Sequence, residues 1–394
     1  MKYLIVTDIP TPWREPIFEK VHRKLSDSFG VVYCKNNEKR RLWHVPLGSH
    51  PKTILPAITV AIGGKERFFN PGIVSFLIRH RPRIALIFSN IKDPTVLLAL
   101  VLCRILGTKI ILMSDTWLGR DRGINWLQRL ARHVVYRWFG DAFVGVSHQT
   151  LAMFEHFNRR IVKEQLFLSP LCADNDYFQR RLQGREVIRR FDVMFAGRIV
   201  SEKNVVFFAE VCARIKERLG KCSALILGEG EDRLKTQMRA IFEAHGVDCT
   251  FAGFIQHDAL PEYYAQAKLL LLPTAGDCWG VVLNEAMVAG TPTVTTEWTA
   301  AAGELVLNGY NGYVLPLDVE VWCIAISKLL SDHEMWESFS KAAKASAGEY
   351  TFEKAAQGIV AAMNYLDGHG GNQTQQSRTN LKDVSQRAQS QIPQ

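Results

Sequence analysis

Short runs of aliphatic and β-branched residues alternate with longer helical patterns along nearly the whole chain. Such alternation is typical of parallel strands joined by helical crossovers, because parallel strands cannot be connected by tight turns. With 394 residues, 47% of them hydrophobic, the chain has enough apolar surface for two such sheets. The sequence therefore predicts an α/β protein with two doubly wound parallel sheets.

The predicted strands fall into two groups, one in each half of the chain. In the first half they are Tyr3–Thr7, Val31–Cys34, Ile84–Phe88, Lys109–Met113, Ala142–Val146 and Gln165–Leu168. In the second half they are Asp192–Ala196, Ser223–Leu227, Asp248–Ala252, Leu269–Pro273 and Thr293–Thr296, separated by helices at 204–219, 231–245, 259–266, 281–289 and 319–330. We therefore predict an N-terminal domain over 1–172, a polar linker over 173–190, a C-terminal domain over 191–366 and a solvated tail over 367–394.

Charge is unevenly distributed along the chain. The net charge is +9, but residues 1–200 carry +16 and residues 201–394 carry −7. A basic half attracts anionic headgroups, a phosphorylated substrate or nucleic acid, and composition does not choose among them. Eight cysteines without a CxxC pair or a Cys/His cluster predict reduced, mostly buried thiols and no zinc site.

The apolar stretches are short. The first strand reaches Asp8 after too few apolar residues for a signal-peptide core, and the longest apolar stretch, Thr95 to Leu106, is shorter than the roughly 20 residues of a membrane span. We therefore expect a cytoplasmic protein without a spanning segment.

Two glycine-containing turns follow predicted strands in the second half. The segment Gly197-Arg198-Ile199-Val200-Ser201-Glu202-Lys203 places two cations at the entrance of a helix, where they can hold a diphosphate together with free N–H groups. The simpler alternative is that both are surface side chains. Gly228-Glu229-Gly230 is a second strand-turn-helix junction, but it is an incomplete dinucleotide fingerprint.

The most informative segment is Pro273–Pro292, where a strand ends in a glycine-containing loop and a helix begins near Gly280. The helix N-terminus offers N–H groups to a phosphate, Asp277 can accept from sugar hydroxyls and Glu285 from ribose hydroxyls. This arrangement suits a nucleotide-sugar. The alternative is that Asp277 caps the helix and that Glu285 is a partly buried acid paired with an arginine.

Together these motifs resemble the retaining glycosyltransferases of family 4. The resemblance covers about residues 190–330 and rests on four motifs in the same order: Gly197-Arg198 with Lys203, Gly228-Glu229-Gly230, Gly253-Phe254-Ile255, and Asp277 leading into Glu285-Ala286-Met287-x-x-Gly290-x-Pro292. It implies the GT-B fold, with two facing Rossmann-like domains and a cleft between them. One departure is that Asp277 stands where the family usually has Glu.

The resemblance also assigns roles to residues. Arg198 and Lys203 would hold the donor diphosphate, and Asp277 would contact the sugar ring; these three are the predicted catalytic residues. Phe254 and Ile255 would contact the base and Glu285 the ribose. The remaining predicted donor-binding residues are Gly197, Gly228, Glu229, Gly230, Cys278, Trp279, Gly280 and Val281.

The function implied is transfer of a sugar from a nucleoside diphosphate sugar to a hydroxyl, with retention and without a metal or other cofactor. The expected acceptor is a glycan or a lipid-linked oligosaccharide of surface polysaccharide biosynthesis, and no nucleic-acid partner is expected. Two other functions stay open: a sugar-nucleotide 2-epimerase of the same fold, and a non-catalytic partner that binds a nucleotide-sugar.

The first half offers two candidates for the acceptor side. Arg14 lies in the proline-rich loop after the first strand, where the alternative is a rigid structural turn. Asp115 follows a later strand at the place where the family commonly has a histidine.

Residues 122–138 form an amphipathic pattern. Arg122, Arg129, Arg132, His133 and Tyr136 fall on one side, opposite Ile124, Leu127, Ala131, Val134, Val135 and Trp138. The simpler interpretation packs the apolar side on its own sheet and leaves the basic side solvated. A further hypothesis is that the basic side rests on an anionic membrane surface, so that the protein is peripheral at the inner face of the membrane.

A rival motif is Asp174-Asn175-Asp176, which looks like the Asp-x-Asp that GT-A glycosyltransferases use to hold a divalent metal. It lies in the predicted linker with no nucleotide motif before it. We therefore predict that it does not bind metal.

Overall fold

The computed structural model describes residues 1–36, 42–62, 65–88, 91, 93–120, 123–184 and 188–368. The chain divides into two compact units. The first unit contains residues 1–170 together with the C-terminal segment from Phe352, and the second contains Leu171–Thr351.

The first unit alternates strands and helices. Its strands are β1 (Tyr3–Thr7), β2 (Phe29–Tyr33), β3 (Lys52–Ile54), β4 (Ile58–Ile62), β5 (Lys65–Phe69), β6 (Ile84–Phe88), β7 (Lys109–Ser114), β8 (Ala142–Gly145) and β9 (Leu166–Leu168). Its helices are α1 (Glu15–Leu25), α2 (Gly72–His80), α3 (Pro94–Ile105), α4 (Trp126–Trp138) and α5 (His148–Phe157), with α13 (Phe352–Asp367) returning from the end of the chain. Every predicted strand of this half overlaps an observed one.

The main sheet of the first unit is parallel, with the strand order β3-β2-β1-β6-β7-β8-β9, while β4 and β5 form a separate antiparallel hairpin. The strands β1, β2 and β6 are buried along their whole length, as expected for a parallel sheet covered on both faces. Because β6, β7, β8 and β9 follow one another in one direction, right-handed crossovers place α3, α4 and α5 on the same face.

Helix α13 covers the other face of this sheet, beside α1. Small side chains allow a close approach: Gly358 lies so near the carbonyl of Leu168 that a Cβ would come within 3.0 Å of its oxygen. The end of α13 is also held, because Asp367 accepts hydrogen bonds from Lys2 Nζ at 2.5 Å and from Tyr3 Oη at 3.0 Å. The structure thus differs from the expected C-terminal domain over 191–366, since its last helix packs on the first sheet.

The second unit is also a wound sheet. Its strands are β10 (Phe191–Ala196), β11 (Ser223–Leu227), β12 (Asp248–Gly253), β13 (Ala267–Leu272), β14 (Thr293–Thr295) and β15 (Gly312–Val314). Its helices are α6 (Asn175–Leu182), α7 (Val205–Leu219), α8 (Asp232–His245), α9 (Leu260–Ala265), α10 (Val281–Val288), α11 (Val319–Ser331) and α12 (His333–Gly348). The strands are parallel in the order β12-β11-β10-β13-β14-β15. Numbered within the unit this is 3-2-1-4-5-6, the order typical of Rossmann folds.

The stretch 173–190, expected to be a linker, contains a packed helix. Phe178 of α6 is fully buried, and Asn175 donates hydrogen bonds to the carbonyls of Ala347 and Tyr350, each at 3.0 Å. The expectation of a linker rested on the polar composition of this stretch. The buried ring of Phe178 and the hydrogen bonds of Asn175 nevertheless attach it to the second unit.

The orientation of α4 agrees only in part with the simpler interpretation of its sequence. As that interpretation expects, Val135 is buried and Arg129 and His133 are exposed. The buried residues of α4 are Arg132, Val135 and Tyr136, whereas Trp126, Leu127, Leu130, Val134 and Trp138 are exposed. Tyr136 turns inward because its ring packs edge-on against Phe154 and Phe157 of α5, at 4.9 and 6.0 Å between centroids. Arg122 of the predicted basic side lies outside the described residues.

All eight cysteines are free thiols, six of them buried, as predicted. Within the described ranges, helices long and apolar enough to cross a bilayer are absent.

Candidate active site

The loops after β10 and β13 meet at the centre of the second sheet. These strands are neighbours, and the chain leaves them in opposite directions, from β10 toward β11 and from β13 toward β14. In open α/β sheets such a reversal opens a crevice at the carboxyl ends of the strands, where ligands bind. The predicted residues Arg198 and Lys203 follow β10, and Asp277 follows β13.

The two loops are fastened to each other by their backbones. A 3₁₀ turn at Ser201–Lys203 docks on the loop after β13: Ala275 N donates to the carbonyl of Glu202 at 2.9 Å, and Asn204 Nδ2 donates to the carbonyl of Pro273 at 2.9 Å. Asn204 adopts a left-handed conformation, φ 49°, which ends the turn and begins α7.

Lys203 and Asp277 form an ion pair at this junction. The side chains retain only 11% and 21% of their exposed surface, respectively. The main chain of Asp277 is held as well, because its N–H donates to the carbonyl of Trp298 at 2.8 Å. The structure therefore brings together two of the three predicted catalytic residues, and the ammonium of Lys203 is positioned before any ligand binds.

Arg198 is exposed at the rim of this junction, and its strand-end neighbour Gly197 has φ 146°. The flanking residue Ile199 is buried and holds the next loop, since its N–H donates to the carbonyl of Glu229 at 2.9 Å and its carbonyl accepts from Glu231 N at 2.8 Å. Arg198 thus projects from a fixed backbone.

The Gly228-Glu229-Gly230 turn lies directly against the loop after β10. A Cβ at Gly228 would come within 3.0 Å of the carbonyl oxygen of Gly197, and one at Gly230 equally close to that of Ile199. The main chains of the two loops therefore approach each other more closely than a residue with a Cβ at either glycine would allow. The side chain of Glu229 lies at the surface and pairs with Lys235 at 2.9 Å.

The N-terminus of α10 begins at Gly280, whose φ is 88°. Because α10 begins after the loop that follows β13, its first N–H groups, which lack intrahelical acceptors, lie at the same end of the sheet as Lys203 and Asp277. Trp279, predicted to bind the donor, is fully buried: its indole N–H donates to Asn284 at 2.7 Å and its ring packs on Tyr350. The side chain of Trp279 therefore supports the loop by packing in the interior of the second unit. The nearby Cys278 and Val281 are half-buried.

Glu285 lies on α10 and is almost completely buried. Its Oε2 accepts a 2.6 Å hydrogen bond from the hydroxyl of Tyr264 in α9. Burial raises the pKa of Glu285, opposed by the nearby His257 and by the tyrosine hydrogen bond, and burial also raises the pKa of Tyr264. The partner is thus a tyrosine and not the arginine considered from the sequence.

Phe254 and Ile255 follow β12 directly and are half-buried. Gly228 N donates to the carbonyl of Gly253 at 2.7 Å, so the predicted base-binding residues start from a backbone tied to the glycine turn.

The Asp-x-Asp motif begins a helix. Asp174 is the N-cap of α6 and accepts from Tyr177 N at 3.0 Å, while Asn175 is turned toward α12 by its two carbonyl acceptors. Within the described part of the chain, groups of three or more His, Cys, Asp or Glu side chains placed to hold a metal ion are absent.

The two acceptor-side candidates contact each other in the first unit. Arg14 Nη2 lies 3.3 Å from Asp115 Oδ2, and the guanidinium stacks over the ring of Phe88 at 4.1 Å from its centroid. Arg14 follows β1, Phe88 ends β6, and Asp115 follows β7, so all three lie at the carboxyl ends of the strands around the reversal between β1 and β6.

A comparison with models of protein families matches a segment of the second unit. A family model described as glycosyl transferases group 1 matches residues 190–332. The chain is 29% identical over 208 residues to an alpha-D-kanosaminyltransferase of Streptomyces kanamyceticus, covering 51% of this chain and 53% of that protein. It is 27% identical over 210 residues to a sulfoquinovosyl transferase of Arabidopsis thaliana, covering 50% and 39%. The chain therefore spans about half or less of the length of these curated relatives.

Solved structures match over almost the whole chain. The Anabaena protein HepE in complex with UDP superposes with a TM-score of 0.71 at 15% identity, covering 92% of this chain and all of HepE. WaaG, a glycosyltransferase involved in lipopolysaccharide biosynthesis, superposes with a TM-score of 0.66 at 16% identity, covering 93% and 100%. The chain has the GT-B fold. In a GT-B protein each unit is a Rossmann-like sheet, as both units are here.

The GT-B assignment confirms the fold class predicted from the sequence. Sequence reasoning did not identify Tyr264, because its partner Glu285 lies in a different helix. It also did not identify Asn204 as the residue that joins the two loops. In the sequence, Tyr264 is a tyrosine within the predicted helix at 259–266, and that position alone does not indicate a contact with Glu285.

Proposed function

We propose that this protein transfers a sugar from a nucleoside diphosphate sugar to a hydroxyl of a glycan or lipid-linked acceptor, with retention of configuration. The observation that carries the proposal is the Lys203–Asp277 pair at the strand reversal of the unit that matches the glycosyl transferases group 1 model. The relatives support the same reaction class, since both named proteins are sugar transferases.

The proposed donor site is a set of cations and N–H groups around a diphosphate. An ammonium has three donors; in Lys203 one is directed to Asp277, which leaves two for phosphate oxygens. Arg198 adds a guanidinium from the rim, and the N-terminus of α10 adds N–H groups. HepE is bound to UDP in its structure, which supports a nucleotide diphosphate as the ligand class.

The proposed chemistry is stabilisation of the leaving group. As the bond between the anomeric carbon and the diphosphate oxygen breaks, negative charge grows on the diphosphate next to Lys203 and Arg198. Because these groups are already positioned, they need no reorganisation at the moment of reaction. The acceptor oxygen forms the new bond to the anomeric carbon as the bond to the diphosphate breaks. The acceptor hydroxyl gives its proton to the departing diphosphate oxygen, and the nucleoside diphosphate leaves.

Asp277 has two proposed tasks. It holds the ammonium of Lys203 through one carboxylate oxygen, and the carboxylate accepts from a hydroxyl of the donor sugar. Glu285 accepts from the ribose hydroxyls while Tyr264 holds its other oxygen. Their roles come from the resemblance to family 4, and the distances in the second unit support them.

Incubation with a panel of radiolabelled nucleotide sugars, without acceptor, tests the proposal. A transferase is expected to hydrolyse its preferred donor slowly, and the anomeric proton of the released sugar, followed by NMR, reports retention. Epimerised donor would identify the 2-epimerase instead. Binding without turnover would identify a non-catalytic nucleotide-sugar-binding protein.

A further inference from the structure

One side of α4 exposes large apolar side chains. Trp126 and Trp138, at the two ends of the helix, are 70% and 68% exposed. The other exposed apolar residues of this side are Leu127, Leu130 and Val134. At about 100° per residue the five side chains fall within an arc of about 120°, which we name the α4 strip, and Arg137 falls inside this arc between Trp126 and Leu130. Clustered exposed apolar surface of this kind marks an interaction site.

The α4 strip is accompanied by positive charge. Arg137 lies within its arc, Arg129 and His133 lie to one side of it, and α4 contains no acidic residue. The guanidinium of Arg137 lies 5.8 Å from the ring of Trp138. Tryptophan and leucine on one side with arginine beside them is the pattern of helices that lie in the interface of an anionic membrane.

The helix is anchored through its other side. Arg132 stacks over Phe157 at 5.8 Å from the ring centroid, Tyr136 packs on Phe154, and the side chain of Asn125 caps the N-terminus by accepting from Gln128 N at 3.0 Å. The α4 strip therefore does not hold the helix in place, and it is available to contact a partner.

We propose that the α4 strip inserts into the headgroup region of an anionic lipid bilayer, with the helix axis parallel to the membrane plane. A second copy of the chain is a poorer occupant. A two-fold contact would bring Arg129, His133 and Arg137 of each copy against the same basic residues of the other. Anionic headgroups neutralise those charges. This assignment is independent of the proposed transfer reaction.

A second apolar stripe extends the same side of the first unit. Leu97, Val101 and Ile105 of α3 are 42%, 45% and 73% exposed and recur every four residues. Because α3 and α4 are successive crossovers on one face of the sheet, both present their outer surfaces on that side. Membrane contact thus involves α4 first and α3 next to it.

Flotation of the full chain with vesicles tests the proposal. One set of vesicles contains phosphatidylcholine alone and the other contains phosphatidylcholine mixed with phosphatidylglycerol. Wild type is expected to bind the anionic vesicles and to be released as salt rises from about 0.1 M to about 1 M, where screening is strong. Combining Trp126→Ser, Leu130→Ser and Trp138→Ser is expected to weaken the partition coefficient at least about tenfold.

The arginines of α4 are tested separately. Combining Arg129→Gln with Arg137→Gln is expected to weaken binding and to flatten its salt dependence, because the electrostatic part of the attraction is reduced. Brominated lipids report insertion directly: they are expected to quench tryptophan fluorescence in wild type, and less in a variant with Trp126→Phe and Trp138→Phe.

A matched control removes exposed apolar side chains elsewhere. Tyr310, Leu317 and Ile324 of the second unit are 43%, 41% and 48% exposed, and their combined replacement by serine is expected to leave vesicle binding unchanged. Thermal unfolding checks that each variant is folded. Undiminished vesicle binding of the folded α4 strip variant overturns the proposal, as does failure of wild type to bind anionic vesicles. A wild-type dimer that dissociates on the α4 substitutions would assign the strip to a second copy instead.

Discussion

The hydroxyl of Tyr264 donates a 2.6 Å hydrogen bond to Glu285, and both side chains are buried in the second unit. Replacing Tyr264 by phenylalanine leaves the carboxylate buried without this donor. We expect Tyr264→Phe to lower the free energy of unfolding by about 1–3 kcal/mol and to weaken donor binding. Denaturant unfolding and calorimetric titration measure the two effects.

The neighbouring Tyr263 provides the control for this substitution. It is half-buried, and within the described residues its hydroxyl makes no hydrogen bond. Tyr263→Phe is therefore expected to change neither stability nor donor affinity by a comparable amount. Equal effects of the two substitutions would show that the Tyr264 hydroxyl does not support Glu285.

The raised pKa of Glu285 predicts a pH dependence of stability. Burial raises the pKa above the ordinary value of 4.5, so between that value and the folded pKa the folded state holds a proton that the unfolded state has released. The stabilising contribution of Glu285 to the free energy of unfolding is therefore fully present below pH 4.5. This contribution is lost as pH rises through the folded pKa, by up to about 1.4 kcal/mol per pH unit. Comparing wild type with Glu285→Gln across this range isolates the effect. A constant difference between them would contradict it.

The proposed donor site predicts a loss of turnover in Lys203→Ala. Because Lys203 is proposed to stabilise charge that grows in the transition state, turnover is expected to fall by about 10²–10³ in a folded protein. Lys268→Ala is the matched control, since Lys268 also forms a partly buried pair with a carboxylate, Asp192 at 2.9 Å, but at the opposite, amino ends of β13 and β10. Near-normal turnover of folded Lys203→Ala would remove Lys203 from the mechanism.

Metal independence is a further prediction. The proposed site relies on cations of the protein, and Asp174 is engaged as a helix cap. Activity is therefore expected to survive EDTA. Loss of activity on chelation, with recovery in Mn²⁺ or Mg²⁺, would contradict the prediction and direct attention back to Asp174 and Asp176.

The glycine turn predicts a specific sensitivity to side chains. In Gly230→Ala the new Cβ would overlap the carbonyl of Ile199, so the loop that carries Arg198 has to move. We expect a loss of at least about 2 kcal/mol in the free energy of unfolding together with weaker donor binding. In Gly348→Ala the Cβ would meet nothing within 4 Å, and the variant is expected to be as stable as wild type. Normal donor affinity in Gly230→Ala would show that the turn does not shape the site.

Much of the fold could be predicted because buried parallel strands have long apolar runs. The missed strands are short or form a hairpin: β3 and β15 have three residues each, and β4 pairs with β5. Three-residue strands carry too little periodicity to be distinguished from loops. The loops that carry Arg198, Lys203 and Asp277 could also be located, because glycines and charges follow strand ends.

Other features depend on contacts between distant residues. The pattern of α4 revealed two sides but not which one meets the sheet, because that choice depends on Tyr136 fitting against Phe154 of α5. The pair Tyr264–Glu285 joins two helices, and no spacing rule connects them. Helix α13 was not predicted from the sequence, and no local pattern indicates that its partner is the sheet that begins at Tyr3.

The return of α13 to the first unit sets an order for folding during synthesis. The second unit is one uninterrupted segment, Leu171–Thr351, and all of it leaves the ribosome before Phe352. Until α13 is made, one face of the first sheet lacks a helix that covers it, and Lys2 and Tyr3 lack their hydrogen-bond acceptor, Asp367. The half of the chain that is made first is thus the half that is finished last, and a nascent chain stopped before α13 would expose apolar sheet surface to chaperones.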